Sequence, residues 1–194
     1  MTRKKNAAQK TTAKKRPARL PGDPASGNRI ERMIRVDHAG EYGAARIYDG
    51  QLAVLEGKKS AKEIRRMADQ ERKHLAAFDK LVVERRVRPT ALAPVWHVAG
   101  FALGAATAML GERAAMACTV AVEEVIDEHY RRQIEALDGD EADLAEIIAQ
   151  FRAEEIEHRD IALAHGAEDA PGYPLLSAAI KAGSRLAIWL STRI

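Results

Sequence analysis

The chain has 194 residues, of which 46% are hydrophobic and 30% are charged, and its formal net charge is +3. This length predicts one domain with short appendages. The single cysteine, Cys118, excludes a disulfide framework and a cysteine-ligated zinc site, and we expect its thiol to be a packing residue. Leu, Ile, Ala, Glu and Arg dominate and alternating β-branched runs are scarce, so the composition predicts an all-α fold.

The net positive charge of the chain comes from its N-terminal residues. Residues 1–22 contain eight Lys and Arg and no acid, which leaves 23 basic and 28 acidic residues, a net charge of −5, in the rest of the chain. We expect residues 1–27 to be a disordered basic arm that touches anionic lipid. The alternatives are a transit peptide, although an amphipathic face is lacking, or a cloning or start-site remnant. Nucleic-acid binding is not expected, because no basic, aromatic-bearing module follows the arm.

Hydrophobic periodicity predicts two helices in the first part of the chain. The first runs over 28–55 and is capped by Asn28. The second begins after Ser60, and Glu63 lies three positions further on. Serine followed by glutamate at this spacing predicts a capping box at the start of the second helix.

The second part of the chain repeats this organisation. A third helix is predicted over 112–137 and a fourth over 141–165, separated by a turn in DGDEAD, 138–143. A linker rich in Gly and Pro, 166–174, precedes a last helix over 175–194. The chain therefore predicts four long helices, one crossover and a C-terminal helix.

The stretch FRAEEIEHRD, 151–160, places acids on the core-facing side of the fourth helix. One stripe consists of residues spaced 4, 3 and 4 apart: Phe151, Glu155, His158 and Ala162. Glu154 and Glu157 lie off the stripe and are expected to be solvated. An unpaired carboxylate is costly to bury, so Glu155 needs a partner. The partner is either an Arg or Lys in a salt-bridged core or a metal ion, for which Glu-x-x-His on one helix is a natural chelating pair.

An internal repeat supports the metal interpretation. At an offset of 82 residues both segments read E-x6-Y-x2-Q-[LI]-x2-L, and the offset aligns Glu41 with Glu123 and Tyr48 with Tyr130. At an offset of 84 the second and fourth helices align through four pairs: Ile64 and Ile148, Met67 and Phe151, Glu71 and Glu155, His74 and His158. Two hairpins, each with one Glu helix and one Glu-x-x-His helix, carry the ligands of a carboxylate-bridged di-iron or di-manganese four-helix bundle.

Six residues are therefore the candidate metal ligands: Glu41, Glu71, His74, Glu123, Glu155 and His158. Their four carboxylates match the charge of two divalent ions, so the filled site is neutral and can be buried. Mixed carboxylate and imidazole ligands favour Fe(II) or Mn(II) over Cu(I) or structural zinc.

The segment 89–111 contains no charged residue over 23 positions. It is long enough to be a transmembrane candidate, but Pro94, Gly100 and Gly104 interrupt it. A bundle of this type needs one long crossover, and we predict a helix lying in the membrane interface. The terminal segment, with Trp189 and no acid, matches it, so that the two form an apolar mouth over the bundle. The alternative is that they simply pack on each other, and His97 is expected to be an incidental polar tip.

Five segments closely resemble the demethoxyubiquinone hydroxylase family of ubiquinone biosynthesis: VDHAGEYGA (36–44), DQERKHL (69–75), RVRPTALAPVWHVAGFALGA (86–105), AMACTVAVEEVIDEHY (115–130) and AEEIEHRDIAL (153–163). The resemblance runs from about Ile30 to the C-terminus. It implies a ferritin-like four-helix bundle over 28–170, with the long apolar crossover inside it, and an extra C-terminal membrane-interface helix over 171–194.

The resemblance also implies a function. It is that of a di-iron monooxygenase that hydroxylates the ring of a demethoxyubiquinol-type polyprenyl benzoquinol with O2, a late step of ubiquinone biosynthesis. By position, the six ligands would form one pair for each iron and one bridging pair: Glu41 with His74, Glu123 with His158, and Glu71 with Glu155. We expect the protein to lie on the cytoplasmic face of a bacterial inner membrane, with the matrix face of the mitochondrial inner membrane as the alternative.

Other residues are candidates for supporting roles. Tyr130 with neighbouring His129 would relay electrons or protons between a quinone and the irons, against the interpretation that Tyr48 and Tyr130 are core tyrosines. Candidate outer partners of the ligands are His38, Asp37, Asp69 and Asp127.

The electron donor is either NADH, without a nucleotide domain of its own, or a partner reductase, because no Gly-x-Gly-x-x-Gly follows a strand. Other ubiquinone-biosynthesis proteins are candidate partners. The rival functions are iron storage, peroxide scavenging and a non-enzymatic membrane scaffold. The apolar crossover argues against a storage shell, and the single cysteine argues against a rubredoxin-bearing peroxidase.

Overall fold

A computed structural model describes residues 26–137 and 141–194. These residues form six α-helices and a short 3-10 turn, Ala167–Asp169, with no strand among them, which confirms the all-α prediction. The helices are α1 (Ser26–Leu55), α2 (Ala61–Glu84), α3 (Ala93–Met109), α4 (Glu112–Ala136), α5 (Ala142–Ala164) and α6 (Tyr173–Ser191). The predicted basic arm, apart from the start of α1, and residues 138–140 of the predicted turn lie outside the described residues.

Four of these helices form two hairpins, α1 with α2 and α4 with α5, and together they make the bundle. The core-facing stripe of α2 contains residues at helical spacing that are all buried: Ile64, Met67, Glu71, His74, Phe78 and Leu81. In α4 every position from 114 to 123 is buried, because this helix also contacts α3 and α6. Cys118 lies in this run, and burial raises the pKa of its thiol to about 12, as suits a packing residue.

The crossover is a continuous helix, α3, that packs along α1. Gly100 and Gly104 were predicted to interrupt this segment. Instead they lie inside α3 and let its backbone approach that of α1. A Cβ atom on Gly104 would lie 1.9 Å from the carbonyl oxygen of Ile47, and one on Gly100 would lie 2.8 Å from that of Gly43. Pro94 lies in the first turn, where a missing N–H costs no helical hydrogen bond.

The C-terminal helix α6 packs against α4 and begins two residues before its predicted start. Two of its basic side chains form ion pairs with α4, Lys181 with Glu124 and Arg185 with Glu128. These pairs hold one face of α6 on the bundle.

Large apolar side chains remain exposed on α3, on α6 and just beyond their ends: Val95, Val98, Met109, Leu110, Leu175, Leu186, Trp189 and Ile194. Among the described residues, no helix combines the length and the apolar character that crossing a membrane requires.

Two predicted helix caps are not formed. Helix α1 begins at Ser26, so Asn28 lies inside the helix and not at its N-cap. Ser60 has helical dihedral angles and no side-chain cap bond, and its N–H donates to Oε2 of Glu112 at 3.0 Å. Glu63 forms an ion pair within α2 instead of reaching back to the cap. A carboxylate from the start of α4 therefore replaces the predicted capping box.

Candidate metal centre

Six buried side chains from four helices converge inside the bundle, and each exposes at most 3% of its surface. They are Glu41 on α1, Glu71 and His74 on α2, Glu123 on α4, and Glu155 and His158 on α5. These are the six residues that the repeat singled out, so the structure brings every predicted ligand to one place.

The six side chains fall into two overlapping groups of four. In each group the candidate ligand atoms all lie within 4.8 Å of one another, and the groups are Glu41, Glu71, His74 and Glu155, and Glu71, Glu123, Glu155 and His158. Glu71 and Glu155 belong to both groups. Each group could hold one metal ion, and the two shared carboxylates lie where a bridge between two ions would be.

The Nδ1 atoms of both histidines approach the carboxylates. Nδ1 of His74 lies 3.0 Å from Oε1 of Glu155 and 3.4 Å from Oε2 of Glu41. Nδ1 of His158 lies 3.1 Å from Oε1 of Glu71 and 3.2 Å from Oε2 of Glu155. Nδ1 is therefore the atom through which each imidazole would bind a metal.

Burial and the neighbouring charges shift the pKa values of the clustered acids and histidines. Burial raises the pKa of Glu71 well above its ordinary value, and the charges of Glu155 and Glu41 raise it further. Burial, followed by the charges of Glu155 and Glu71, has the same effect on the pKa of Glu123. Burial opposes the charged form of His74, but hydrogen bonds to Glu155 and Glu41 prevail and raise its pKa to about 12. Protons therefore compete with metal ions for these groups.

Five buried polar atoms of the candidate ligands have no well-aligned hydrogen bond, although the two Nδ1 atoms lie 3.0–3.4 Å from carboxylates of the cluster: Oε2 of Glu41, Oε1 of Glu71, Nδ1 of His74, Oε2 of Glu155 and Nδ1 of His158. Buried polar groups are almost always paired, so five orphans within one cluster call for a common partner. Metal ions would satisfy them together, and carboxylate oxygen with imidazole nitrogen is a donor set that suits iron or manganese.

Two buried tyrosines brace the outer carboxylates. The hydroxyl of Tyr48 donates to Oε1 of Glu123 at 2.9 Å, and that of Tyr130 donates to Oε1 of Glu41. Burial and the charge of Glu123 raise the pKa of Tyr48 well above its ordinary value, so its hydroxyl stays protonated and donates. Both are core residues, as one interpretation expected, and both also touch a candidate ligand.

His129 lies beside Tyr130, with their ring centroids 5.9 Å apart, but it is not in the metal cluster. Its Nε2 lies 2.9 Å from Oδ1 of the buried Asp37, which also accepts a hydrogen bond from Nε2 of Gln133 at 2.8 Å. Burial raises the pKa of Asp37, and the bond to His129 opposes the rise. His129 and Asp37 thus form a polar pair at the edge of the site.

The other predicted outer partners do not support the ligands. Each is hydrogen-bonded to another residue: His38 to Asp79, Asp69 to Arg72, and Asp127 to Arg152. His97, the predicted polar tip, lies 2.6 Å from the hydroxyl of Tyr42 and has no contact with the cluster among the described residues.

Two residues that the sequence did not single out contact the far side of the histidines. Oε2 of Glu154 accepts a hydrogen bond from Nε2 of His74 at 2.9 Å, and Oε1 of Gln70 lies 3.1 Å from Nε2 of His158. Glu154, which was predicted to be solvated, keeps 27% of its side chain exposed, but side chains of α2 bond the rest of it. The repeat contains the signal, since the offset of 84 also aligns Gln70 with Glu154.

An apolar cavity of about 360 Å³ lies between α1, α3, α4 and α6, and none of its lining side chains is charged. Gly40 and Val122 line it and directly precede Glu41 and Glu123 in the chain, so two of the helices that form the cavity wall also carry candidate ligands. The indole N–H of Trp96, another lining residue, donates to the hydroxyl of Ser191 at 3.0 Å.

Comparisons with known proteins agree with the resemblance seen in the sequence. The profile of the family described as "Ubiquinone biosynthesis protein COQ7" matches residues 28–191. The "3-demethoxyubiquinol 3-hydroxylase" of Rhodospirillum rubrum is 61% identical over 178 residues, which are 91% of this chain and 84% of the relative.

Two eukaryotic relatives are also similar. The human "NADPH-dependent 3-demethoxyubiquinone 3-hydroxylase, mitochondrial" is 50% identical over 190 residues, which are 96% of this chain and 88% of the relative. The Saccharomyces cerevisiae "5-demethoxyubiquinone hydroxylase, mitochondrial" is 41% identical over 182 residues, and the match covers 85% of this chain and 78% of the relative. The chain therefore belongs to the family of the ubiquinone biosynthesis protein COQ7.

Proposed function

We propose that this protein is a di-iron monooxygenase that adds a hydroxyl group to the ring of a demethoxyubiquinol-type polyprenyl benzoquinol in ubiquinone biosynthesis. The observation that carries the proposal is the buried cluster of four glutamates and two histidines, two of whose helices also line an apolar cavity. The printed names of the relatives, which are hydroxylases of demethoxyubiquinol or demethoxyubiquinone, supply the substrate class.

The ligand atoms divide between two iron ions. Glu41 and His74 would hold one ion, Glu123 and His158 would hold the other, and the shared Glu71 and Glu155 would serve both. When bound, the two ions supply the activation of O2. In the overall reaction one oxygen atom enters a ring C–H bond, and the other leaves as water with two electrons and two protons.

The cavity holds the quinol ring and the start of its isoprenoid tail. Its volume falls within the range of small-molecule sites, and its uncharged walls exclude water from the reacting ring. Trp96, Ser184 and Ser191 provide the polar atoms of the lining. Because α1 and α4 line the cavity and also carry Glu41 and Glu123, we place the bound ring next to the metal cluster.

The substrate reaches this cavity from a membrane surface. Helices α3 and α6 line the cavity on one side and expose apolar side chains on another, as Leu103 and Trp189 illustrate. A polyprenyl tail in lipid therefore has a continuous apolar path along these two helices. We place the protein peripherally on the cytoplasmic face of a bacterial inner membrane. The matrix face of the mitochondrial inner membrane is the alternative, since the eukaryotic relatives are named mitochondrial.

Tyr130 and His129 are the proposed relay between the quinone and the irons. The hydroxyl of Tyr130 donates a hydrogen bond to Oε1 of Glu41. Nε2 of His129 donates one to Oδ1 of Asp37. The electrons come from a nicotinamide donor, NADH or the NADPH in the name of the human relative, with a partner reductase as the alternative.

The test uses the full chain loaded anaerobically with ferrous iron, a short-tailed demethoxyubiquinol, a nicotinamide donor and ¹⁸O₂. We expect about two irons per chain and one labelled oxygen in the hydroxylated ring, measured by mass spectrometry. Glu155→Ala removes a bridging ligand and abolishes labelling, whereas Glu157→Gln, an exposed residue on the same helix, leaves it unchanged.

Other outcomes identify the rival functions. Hundreds of irons per assembly indicate storage, peroxide consumption without quinol hydroxylation indicates scavenging, and no bound iron indicates a scaffold. Any of these three results, or an unlabelled product, overturns the proposal.

A further inference from the structure

The internal repeat extends from the ligands to the hydrogen bonds behind them. The offset of 84 relates His74 to His158 and Gln70 to Glu154. The bonds are reciprocal: Nε2 of His74 is bonded to Glu154 at 2.9 Å, and Nε2 of His158 is bonded to Gln70 at 3.1 Å. Each imidazole is thus held from behind by the residue that precedes the bridging glutamate of the other hairpin. The geometry is the same on both sides, but one partner is a carboxylate and the other is an amide.

The hydrogen bonds around Gln70 fix which of its atoms faces His158. Nε2 of Gln70 donates to Oε2 of Glu154 at 3.3 Å, and Oε1 accepts from Nη1 of Arg66 at 3.3 Å. A flipped amide would place its NH2 against the Arg66 donor and its oxygen against the Glu154 carboxylate, so Oε1 is the atom that meets His158. Both histidines therefore donate through Nε2–H and keep Nδ1 for the metal.

A second departure from the repeat falls on the same metal position. At the offset of 82, the buried Asp37 corresponds to Thr119. Gln133 donates to Oδ1 of Asp37 at 2.8 Å, and the corresponding Gln51 is 3.4 Å from Oγ1 of Thr119. Asp37 lies one turn before Glu41 on α1, so the hairpin that carries Glu41 and His74 has a buried carboxylate where the other hairpin has a hydroxyl.

We propose that Glu154 is a positioning residue that makes the Glu41–His74 position the tighter of the two metal sites. A carboxylate that accepts the Nε2–H bond fixes the tautomer and increases electron donation from Nδ1. An amide oxygen accepts the same bond without a negative charge, and hydrogen bonds to charged acceptors are roughly twice as strong. The first ion therefore enters at His74, and the second enters at His158.

This inference rests on the proposed assignment of the six ligands but not on the hydroxylation reaction. It is tested on the full chain, stripped of metal and titrated anaerobically with ferrous iron alone in a calorimeter. We expect two binding events whose affinities differ by about 10–100-fold, the usual effect of a residue hydrogen-bonded to a ligand histidine.

Two isosteric exchanges separate positioning from general stability. Glu154→Gln lowers the tighter affinity by about 10–100-fold, so that the two events merge. Gln70→Glu raises the weaker affinity toward the tighter one. The control Glu146→Gln changes an exposed glutamate of α5, and it leaves both affinities unchanged.

The double exchange Glu154→Gln with Gln70→Glu reverses the order of filling. Adding His158→Ala to this double variant leaves only the His74 position. The remaining binding event is then the weaker of the two instead of the tighter one. Equal affinities in the wild type, or a Glu154→Gln variant with unchanged affinities, overturn the inference. Two unequal iron sites in a chain that hydroxylates no quinol overturn the proposed reaction and leave this inference standing, whereas a chain that binds no iron overturns both.

Discussion

The hydroxyl of Tyr48 on α1 donates a hydrogen bond across 2.9 Å to Oε1 of Glu123 on α4. The repeat supplies the reverse bond, from Tyr130 on α4 to Glu41 on α1. Each outer carboxylate is therefore held by a tyrosine of the other hairpin. This symmetry gives each tyrosine a matched control within the same chain.

Replacing either tyrosine by phenylalanine leaves a buried carboxylate oxygen with one donor fewer. We expect Tyr48→Phe and Tyr130→Phe each to lower the free energy of unfolding of the metal-free chain by about 1–3 kcal/mol, measured by denaturant titration. Only Tyr130→Phe, which removes the proposed relay, should also reduce kcat, by about tenfold or more at unchanged iron content. Equal effects of the two substitutions on kcat would show that Tyr130 has a structural role alone.

The metal-free protein should lose stability as the pH rises. Burial raises the pKa of Glu71 and of Glu123 above the ordinary 4.5. Hydrogen bonds to Glu155 and Glu41 outweigh burial and raise the pKa of His74 from 6.5 to about 12. Above pH 4.5 the folded chain thus binds more protons than the unfolded chain. For each extra proton, the free energy of unfolding falls by about 1.4 kcal/mol for every unit by which the pH rises.

One ligand has the opposite sign, but it acts in a different pH range. Burial alone would raise the pKa of Glu155, but hydrogen bonds from His158 and His74 lower it to about 2, so its stabilisation is lost only as the pH falls below 4.5. Denaturant titrations at about pH 5.5 and about pH 8.5 measure the net effect. Bound ferrous iron should reverse the slope, because ligation releases the protons. A metal-free chain that becomes more stable toward pH 8.5 would contradict this account.

The contact between α1 and α3 should tolerate no side chain at Gly104. An added methyl group would lie 1.9 Å from the carbonyl oxygen of Ile47, which belongs to helix backbone and cannot move aside. We expect Gly104→Ala to destabilise the protein by about 1–3 kcal/mol. The control is Gly183→Ala on α6, which meets nothing within 4 Å and should stabilise by about 0.5–1 kcal/mol through helix propensity. Thermal unfolding of both variants measures the difference.

Filling the cavity should impair quinol binding without removing iron. Gly43 lines the cavity, and a Cβ atom there meets nothing within 4 Å, so the backbone accepts a larger residue. We expect Gly43→Leu to raise the KM for the quinol by about tenfold at unchanged iron content, and Gly43→Ala to have a smaller effect. Steady-state kinetics with a polyprenyl quinol provide the measurement, and an unchanged KM would exclude this cavity as the substrate site.

Membrane binding should depend on the exposed apolar side chains of α6. Leu186 and Trp189 are 56% and 51% exposed. Changing both to Glu should weaken binding to vesicles of phosphatidylcholine and phosphatidylglycerol by about tenfold, measured by co-sedimentation. Val83→Glu on α2 is the control, since this valine is 77% exposed but lies outside the surface of α3 and α6. Equal loss in both variants would contradict the proposed orientation.

The sequence predicts most of the bundle because periodicity determines which side chains face inward. The third helix was expected over 112–137 and the structure has Glu112–Ala136. The inward glutamates stand out because a carboxylate at a core position needs a partner. The repeat adds that the two hairpins are equivalent, which is enough to list all six candidate ligands before any distance is known.

What periodicity does not predict is contact between helices distant in sequence. Glu154 lies off the buried stripe of α5 and is half-buried, yet Nε2 of His74 on α2 reaches it. Ser60 resembles a helix cap, but its N–H meets the side chain of Glu112, 52 residues away. In the sequence Gly104 looks like a helix breaker, but in the structure it lets α3 pack closely against Ile47 of α1. In each case the partner lies on a neighbouring helix.

The two overlapping ligand groups have a consequence for the assembly of the halves. Each group takes three residues from one hairpin and one bridging carboxylate from the other: Glu155 joins the first group, and Glu71 joins the second. Neither half of the chain therefore holds a complete coordination set by itself. Two copies of one hairpin, paired about a twofold axis, would supply the whole set, which is the arrangement expected of a self-associating precursor before gene duplication.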